Sequence, residues 1–451
     1  MRGLNVAVVG GGLAGISAAL ECADAGADVT LYESRRWLGG ATFSIERDGR
    51  LLDNGQHVLL RCCVAYRALL GRLGVADLID WQQRLRIPVL REGKPPAYLR
   101  RNRLPAPLHL GGTLLRYSPL SIGERLAALR AAAALRALDP EAPGLDDESF
   151  GRWLRAHGQS SRAVDALWNL ITIPTLNLPA DEASLAQCVQ VFRTGLLDSA
   201  GGADVGISSV PLQRLHGDAA AAALEAAGVR VLAGSPVRGV APGRVLLEGG
   251  AEETGAAIVA LPNHDAARVL PPGAVDAGAV AALGSSPIVN LHVHYDRTVL
   301  GEPFAAALDS PVQWLFDRTG SSGTREGQLV SLSLSAATGD IGEPLEALRE
   351  RYLPALARLL PRARSARVLD AYAIRDPRAT FRAVPGTRAL RPGPRTAVAG
   401  IYLAGAWTGT GWPATMESAV RSGNAAARAV LADAGSGRGV RDGLAAVGSV
   451  R

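Results

Sequence analysis

At 451 residues the chain is long enough for two or three domains, at about 100–200 residues each, and for large cores without disulfide or metal staples. Hydrophobic residues make up 48% and charged residues 20%, which excludes a disordered chain or a fibre, and every long apolar stretch is broken short of the ~18 residues of a membrane span. The net charge of +6 is carried almost wholly by arginine, the only lysine being Lys94; so modest an excess, without an aromatic-interleaved basic groove, gives no support to nucleic-acid binding. Cys22, Cys62, Cys63 and Cys188 form no C-x-x-C pair and no zinc or disulfide framework, as expected of a cytoplasmic protein. Adjacent Cys62 and Cys63 read as small packing residues.

The first element is Leu4–Val9, a short β-branched run typical of a buried parallel strand. Arg2 followed by an apolar stretch imitates a secretion signal. Gly10, Gly11, Gly12 and Gly15 interrupt it, however, and the pattern is strand, turn, helix. Gly10-Gly11-Gly12-Leu13-Ala14-Gly15 reads G-x-G-x-x-G; a helix follows to about Ala25, then a strand, Val29–Tyr32, ending at Glu33. Gly10 permits a tight turn, Gly12 a close approach of backbone to a pyrophosphate, and Gly15 close packing of helix on strand. The helix N-terminus, with Leu13 and Ala14, faces the anion. Glu33, 18 residues after Gly15, can accept hydrogen bonds from a ribose 2′-hydroxyl.

Further on, Arg84–Arg103 carries seven basic residues and one acid, interleaved with apolar residues, and turns at Glu92-Gly93-Lys94-Pro95. One reading is a solvated hairpin. The other is an edge that docks on anionic membrane through Arg84, Arg86, Arg91, Arg100, Arg101 and Arg103. An alanine-rich helix is expected over Leu212–Ala227, then a strand at Val229–Leu232 and another at Ala257–Leu261. Ile288–Tyr295 and Gln328–Ser335 alternate like antiparallel strands. His292 and His294, two apart on one strand face, have the spacing of a metal pair but no third ligand in sight, so no metal is assigned. Ile401–Ala404 reads as a buried strand, followed by a glycine-rich turn from Gly405 to Pro413 and a helix from Ala414 to Leu431.

Glu33-Ser34-Arg35-Arg36-Trp37-Leu38-Gly39-Gly40 resembles the second fingerprint of the FAD-dependent amine oxidase and phytoene desaturase superfamily. The resemblance implies an α/β fold: a Rossmann-type FAD-binding domain, amine oxidase or glutathione reductase-like, with an inserted α+β substrate domain. It implies that Ser34, Arg35, Gly39, Gly40 and Ala41 lie along the FAD diphosphate. Ala41 stands where many relatives carry arginine, which leaves Arg35 as the diphosphate partner. It places the backbone amide of Val237 at the adenine and Gly405, Ala406, Pro413, Ala414, Thr415 and Met416 at the flavin, with the Met416 amide as donor. Relatives often have an acid at the position of Ala406. The FAD domain is then discontinuous, 1–75, 205–283 and 393–435. The substrate domain is 76–204 with 284–392, and 436–451 is a tail.

Asp53-Asn54-Gly55-Gln56-His57-Val58-Leu59-Leu60, the run Trp168–Ser184 and Trp412–Gly423 closely resemble the hydroxysqualene dehydroxylase family of bacterial hopanoid pathways. That resemblance implies reductive removal of an allylic hydroxyl, hydride passing from reduced flavin to an allylic cation on an apolar C30 isoprenoid. The protein's part is to orient, desolvate and protonate. Gly55, Gln56, His57 and Val58 fall where superfamily members approach the flavin. His57 either acts as acid or only hydrogen-bonds flavin or backbone, and Asp53 either orients it or ends a strand. Glu417 reads as an N-terminal capping residue. Trp168, Trp407 and Trp412 are candidate cavity walls. A carotenoid-type desaturase, an amine oxidase and a non-catalytic FAD-retaining lipid carrier are the alternatives. Amine oxidases of this superfamily commonly use a substrate-domain lysine, a role for which Lys94 is badly placed.

Overall fold

In the computed structural model, residues 3–436 are described; of the predicted tail only Ser436 falls among them. A five-stranded parallel sheet has the order Arg230–Ala233, Asp28–Glu33, Asn5–Val9, Ala256–Val259, Ile401–Leu403. Apart from the edge strand Arg230–Ala233, these short runs are mostly buried, which is why they read as continuous apolar sequence. Helix Leu13–Asp24 covers one face with the terminal helix Met416–Gly435. The two approach so closely that a Cβ on Gly423 would lie 2.1 Å from the Ala14 carbonyl oxygen. The helix expected over 212–227 is present, but its first part, Gln213–Asp218, is wound as wider π-type turns before the α-helix Ala219–Ala226.

A seven-stranded sheet forms the second layer. Its order is Val368–Thr380, Ser286–Tyr295, Gln328–Ser335, Trp314–Asp317, Phe304–Ala307, Arg86–Arg91, Lys94–Arg100. All neighbours are antiparallel except Phe304–Ala307 with Arg86–Arg91. The alternation in Ser286–Tyr295 has an unusual meaning. Val289, Leu291 and Val293 pack in a core with helix Leu345–Leu359, whereas Asn290, His292 and His294 face the other way and are also buried. That polar face meets the parallel-sheet lobe, and it positions the site. A three-stranded sheet, Leu59–Leu60, Val205–Ser208 and Ile79–Trp81, joins the lobes at one side.

Candidate functional site

The loop after the first strand is a cradle that only glycine can line. Gly10 has φ +109°, and a Cβ there would meet the Ala260 carbonyl oxygen at 2.6 Å. A Cβ on Gly15 would sit 1.9 Å from the Gly10 oxygen. The second fingerprint folds directly onto the first. The Gly39 amide donates to the Gly11 carbonyl at 2.9 Å, and a Cβ on Gly40 would approach the Gly12 Cα to 2.6 Å. Buried Glu33 accepts from the Gly11 amide at 2.7 Å through one oxygen and from the Arg35 amide at 2.8 Å and the Ser34 hydroxyl at 3.1 Å through the other. It therefore ties both glycine loops together, and the oxygen that accepts from Gly11 keeps a lone pair for a ribose hydroxyl. Arg35 turns back to the Gly40 carbonyl at 3.1 Å and stacks on Phe43. Ala41 is exposed, its carbonyl held by Asn54 Nδ2 at 2.8 Å. No group among the described residues accepts from the Val237 amide.

The C-terminal turn converges on the same end of the sheet. Gly405 has φ +143°, and its amide donates to Ser422 Oγ at 2.8 Å. Thr415 caps helix Met416–Gly435 by accepting from the Ser418 amide at 3.2 Å. The Met416 and Glu417 amides find no acceptor among the described residues, so this helix start presents free N–H groups at its positive end. The predicted cap Glu417 serves a different helix. Its carboxylate, fully buried, accepts from the Ala65 and Tyr66 amides at 3.1 and 2.8 Å and from Arg421 at 2.7 Å. It thereby caps helix Val64–Arg72.

Arg391 went unnoticed in the sequence. Buried and stacked on Phe381, its guanidinium donates to the carbonyls of Trp407 at 3.2 Å, Ala406 at 3.1 Å and Thr408 at 2.6 Å. Burial lowers its pKa to about 10, which still leaves it charged at neutral pH. One cation thus shapes the whole turn that begins at Gly405.

The segment Asp53–Val58 lies between the two lobes. Asp53 is not hydrogen-bonded to His57. One of its oxygens accepts from Ser44 Oγ at 2.7 Å and the Leu212 amide at 2.9 Å, and the other pairs with Arg318 at 2.7 Å. Both partners of that ion pair are buried, with 4% and 7% of their side chains exposed. The Asp53 carbonyl meets His292 Nε2 at 3.1 Å, and the Asn54 carbonyl accepts from Asn290 at 2.9 Å. The polar face of the second sheet is therefore a clamp on this loop. His292 also bonds Ser331 at 2.7 Å, and His294 the Glu326 carbonyl at 2.8 Å; neither is poised as a metal ligand, and no metal cluster occurs among the described residues.

His57 folds back over Gly55, where a Cβ would lie 2.8 Å from its Nε2. Its Nε2 and the Gln56 Nε2 are buried without partners, beside a small cavity that Val58, Ile207, Phe316 and Arg318 also line. Burial lowers the His57 pKa, against the opposing pull of Asp53 and Asp376, so the imidazole stands neutral near pH 7. Trp168 and Trp407 are core residues rather than cavity walls. Each is buried, with its indole N–H spent on Gln159 at 2.9 Å and the Leu261 carbonyl at 2.8 Å. Trp412 is half-buried beneath Arg421. Lys94 lies on the outermost strand of the second sheet.

Comparison with known proteins accords with this geometry. The family described as "Flavin containing amine oxidoreductase" matches residues 13–431. A hydroxysqualene dehydroxylase of Rhodopseudomonas palustris is 29% identical, over 95% of this chain and 98% of its own. A chloroplastic/chromoplastic 15-cis-phytoene desaturase of Glycine max is 26% identical, over 96% of this chain and 80% of its own. In structure, cyclohexylamine oxidase of Brevibacterium oxydans aligns with a TM-score of 0.69 at 18% identity, over 96% of this chain and 99% of its own. The residues fit FAD: glycine loops that a Cβ would fill, a buried carboxylate between them, and free helix amides at the far end. The chain belongs to the flavin-containing amine oxidoreductases and is an FAD-dependent oxidoreductase.

Proposed function

We propose that the protein reductively removes the allylic hydroxyl of hydroxysqualene to give squalene. The observation that carries this reading is the clamped Asp53–Val58 loop with two unpartnered buried nitrogens, on Gln56 and His57, in a chain alike over nearly its whole length to a hydroxysqualene dehydroxylase. Reduced FAD, when bound, supplies the hydride. The glycine loops, Glu33 and the Met416 helix start hold the dinucleotide. The clamp of Asn290, His292 and the Asp53–Arg318 pair fixes the loop so that Gln56 and His57 keep one orientation. Taken as FADH2, the bound cofactor would supply the proton as well as the hydride, so that the hydroxyl leaves as water, and a neutral His57 would hydrogen-bond the departing oxygen. Burial of this pocket excludes the water that would otherwise trap an allylic cation.

The test is anaerobic incubation of photoreduced enzyme with hydroxysqualene, following flavin absorbance and the mass of the lipid. Stoichiometric reoxidation with squalene formed is the expected result. Bleaching of oxidised enzyme by a phytoene-like hydrocarbon, with no reoxidation by hydroxysqualene, would move the reading to desaturation. Placement of the FAD domain at 1–75, 205–283 and 393–435, with the remainder binding substrate, is part of the same proposal; limited proteolysis of the holoprotein tests it.

A further inference from the structure

A cavity of about 440 Å³ opens between the outermost strand Lys94–Arg100 and the short helix Gly111–Leu115. Arg84, Arg100, Arg101 and Arg116 line it, and no acidic side chain does. Arg101 is committed to Asp204, with bonds of 2.6 and 2.7 Å. Arg84, Arg100 and Arg116 are exposed, and their side chains make no ion pair or hydrogen bond among the described residues. Of the other predicted docking arginines, Arg86 is spent on Glu302 at 2.8 Å and Arg91 on Ser118 at 2.9 Å, while Arg103 is exposed outside the lining. Also lining the cavity is His109, 2% exposed, whose Nδ1 is buried without a partner.

The surrounding surface is apolar where a soluble surface is ordinarily polar. Leu104, Leu108 and Leu115 are 50%, 60% and 51% exposed. Leu108 and Leu115 adjoin the lining residues His109 and Arg116 in the chain, and Leu104 lies two residues beyond Asn102. The strand edge itself is closed. Thr113 Oγ1 accepts from the Arg100 amide at 3.1 Å and donates to the Tyr98 carbonyl at 2.9 Å, so an added peptide strand has nothing to pair with there.

We propose that this cavity binds a phosphate ester, and the exposed leucines at its rim favour one carried by a lipid. Planar guanidinium groups match phosphate oxygens in geometry and charge, and leucines beside them enter the interfacial layer of a bilayer. The site is remote in sequence from the dinucleotide loops, and neither probe below involves the isoprenoid, so its failure is distinguishable from failure of the proposed reaction.

FAD-loaded protein is titrated with glycerol 1-phosphate and, separately, sedimented with phosphatidylcholine vesicles with and without phosphatidylglycerol. Wild type should bind the ester, and should bind vesicles only when they are anionic. R84Q/R100Q should weaken both at least tenfold, and R84K/R100K, which keeps the charge without the planar fork, should restore only part of each. L104S/L108S should weaken vesicle binding alone. Ester binding without vesicle binding keeps the site and assigns it to a soluble ester. Binding of neither probe, or binding unchanged in R84Q/R100Q, overturns the proposal. Flavin content equal to wild type verifies folding, and the single R116Q variant replaces the double one if that fails to load.

Discussion

Removing the Asp53 charge tests whether this residue serves chemistry or architecture. Its pair with Arg318 is at 2.7 Å with both side chains nearly inaccessible, so solvent screening gives no relief. In D53N the Arg318 cation keeps only the Ser208 carbonyl, at 3.1 Å. Breaking one side of such a buried pair costs about 3–5 kcal/mol. R318M should cost about as much, because it strands the carboxylate with two neutral donors. The double variant D53N/R318M leaves no unpaired charge. Its cost should fall short of the sum of the single variants by about 2 kcal/mol or more. Urea unfolding of the FAD-loaded forms, followed by tryptophan and flavin fluorescence, measures all three. Single costs that add to within about 0.5 kcal/mol would refute the coupling. A D53N form of wild-type stability whose turnover collapses would instead place Asp53 in the chemistry.

Three other perturbations follow from the same geometry. R391M deprives the carbonyls of Trp407, Ala406 and Thr408 of their donor. It should weaken FAD at least tenfold, about 1.4 kcal/mol, in a flavin-fluorescence titration. G40A should lose FAD altogether, because its Cβ would collide with Gly12. G26A, also at positive φ but with nothing within 4 Å of its Cβ, should cost only about 1 kcal/mol and keep the cofactor. The third concerns pH. Burial lowers His292 to about 4, below its unfolded value, so the unfolded chain takes up the proton first and stability falls as pH drops from about 6.5 towards 4. H292Q, which cannot protonate, should show a shallower loss of urea midpoint across that window; an unchanged slope would count against a buried neutral His292.

Local pattern carried a definite part of this structure. The first strand, the glycine loop and its helix, and Glu33 are consecutive, and each requirement is a short-range steric or hydrogen-bonding one. The hairpin turning at Glu92–Lys94 and the alternation in Ile288–Tyr295 were legible for the same reason. What alternation left open was that both faces of that strand are buried, since nothing local to Asn290 and His292 shows that the Asp53–Asn54 backbone is brought against them. Arg318 and Arg391 gave no signal at all. Each is one arginine in an arginine-rich chain, and its partners are distant in sequence or are backbone carbonyls without a residue signature. Glu417 was seen but misassigned, because a glutamate in a first turn satisfies the rule for its own helix as well as it satisfies a neighbour's. The tryptophans misled by size: large aromatic residues suit a core and a cavity equally, and only the spent indole N–H groups decide.

The order of strands in the parallel sheet also bears on how the chain is made. Asn5–Val9 leaves the ribosome well before its neighbour Ala256–Val259. The edge strand Ile401–Leu403 and the helix that closes the cofactor site come later still. Contacts so distant in sequence form slowly, and until then an apolar strand waits with an unpaired edge, open to association with other chains. The glycine loop therefore lacks the rest of its cradle until Met416–Gly435 has been made, and cofactor capture waits for that helix. Supply of flavin during expression should accordingly govern the yield of native protein more than the rate of translation does.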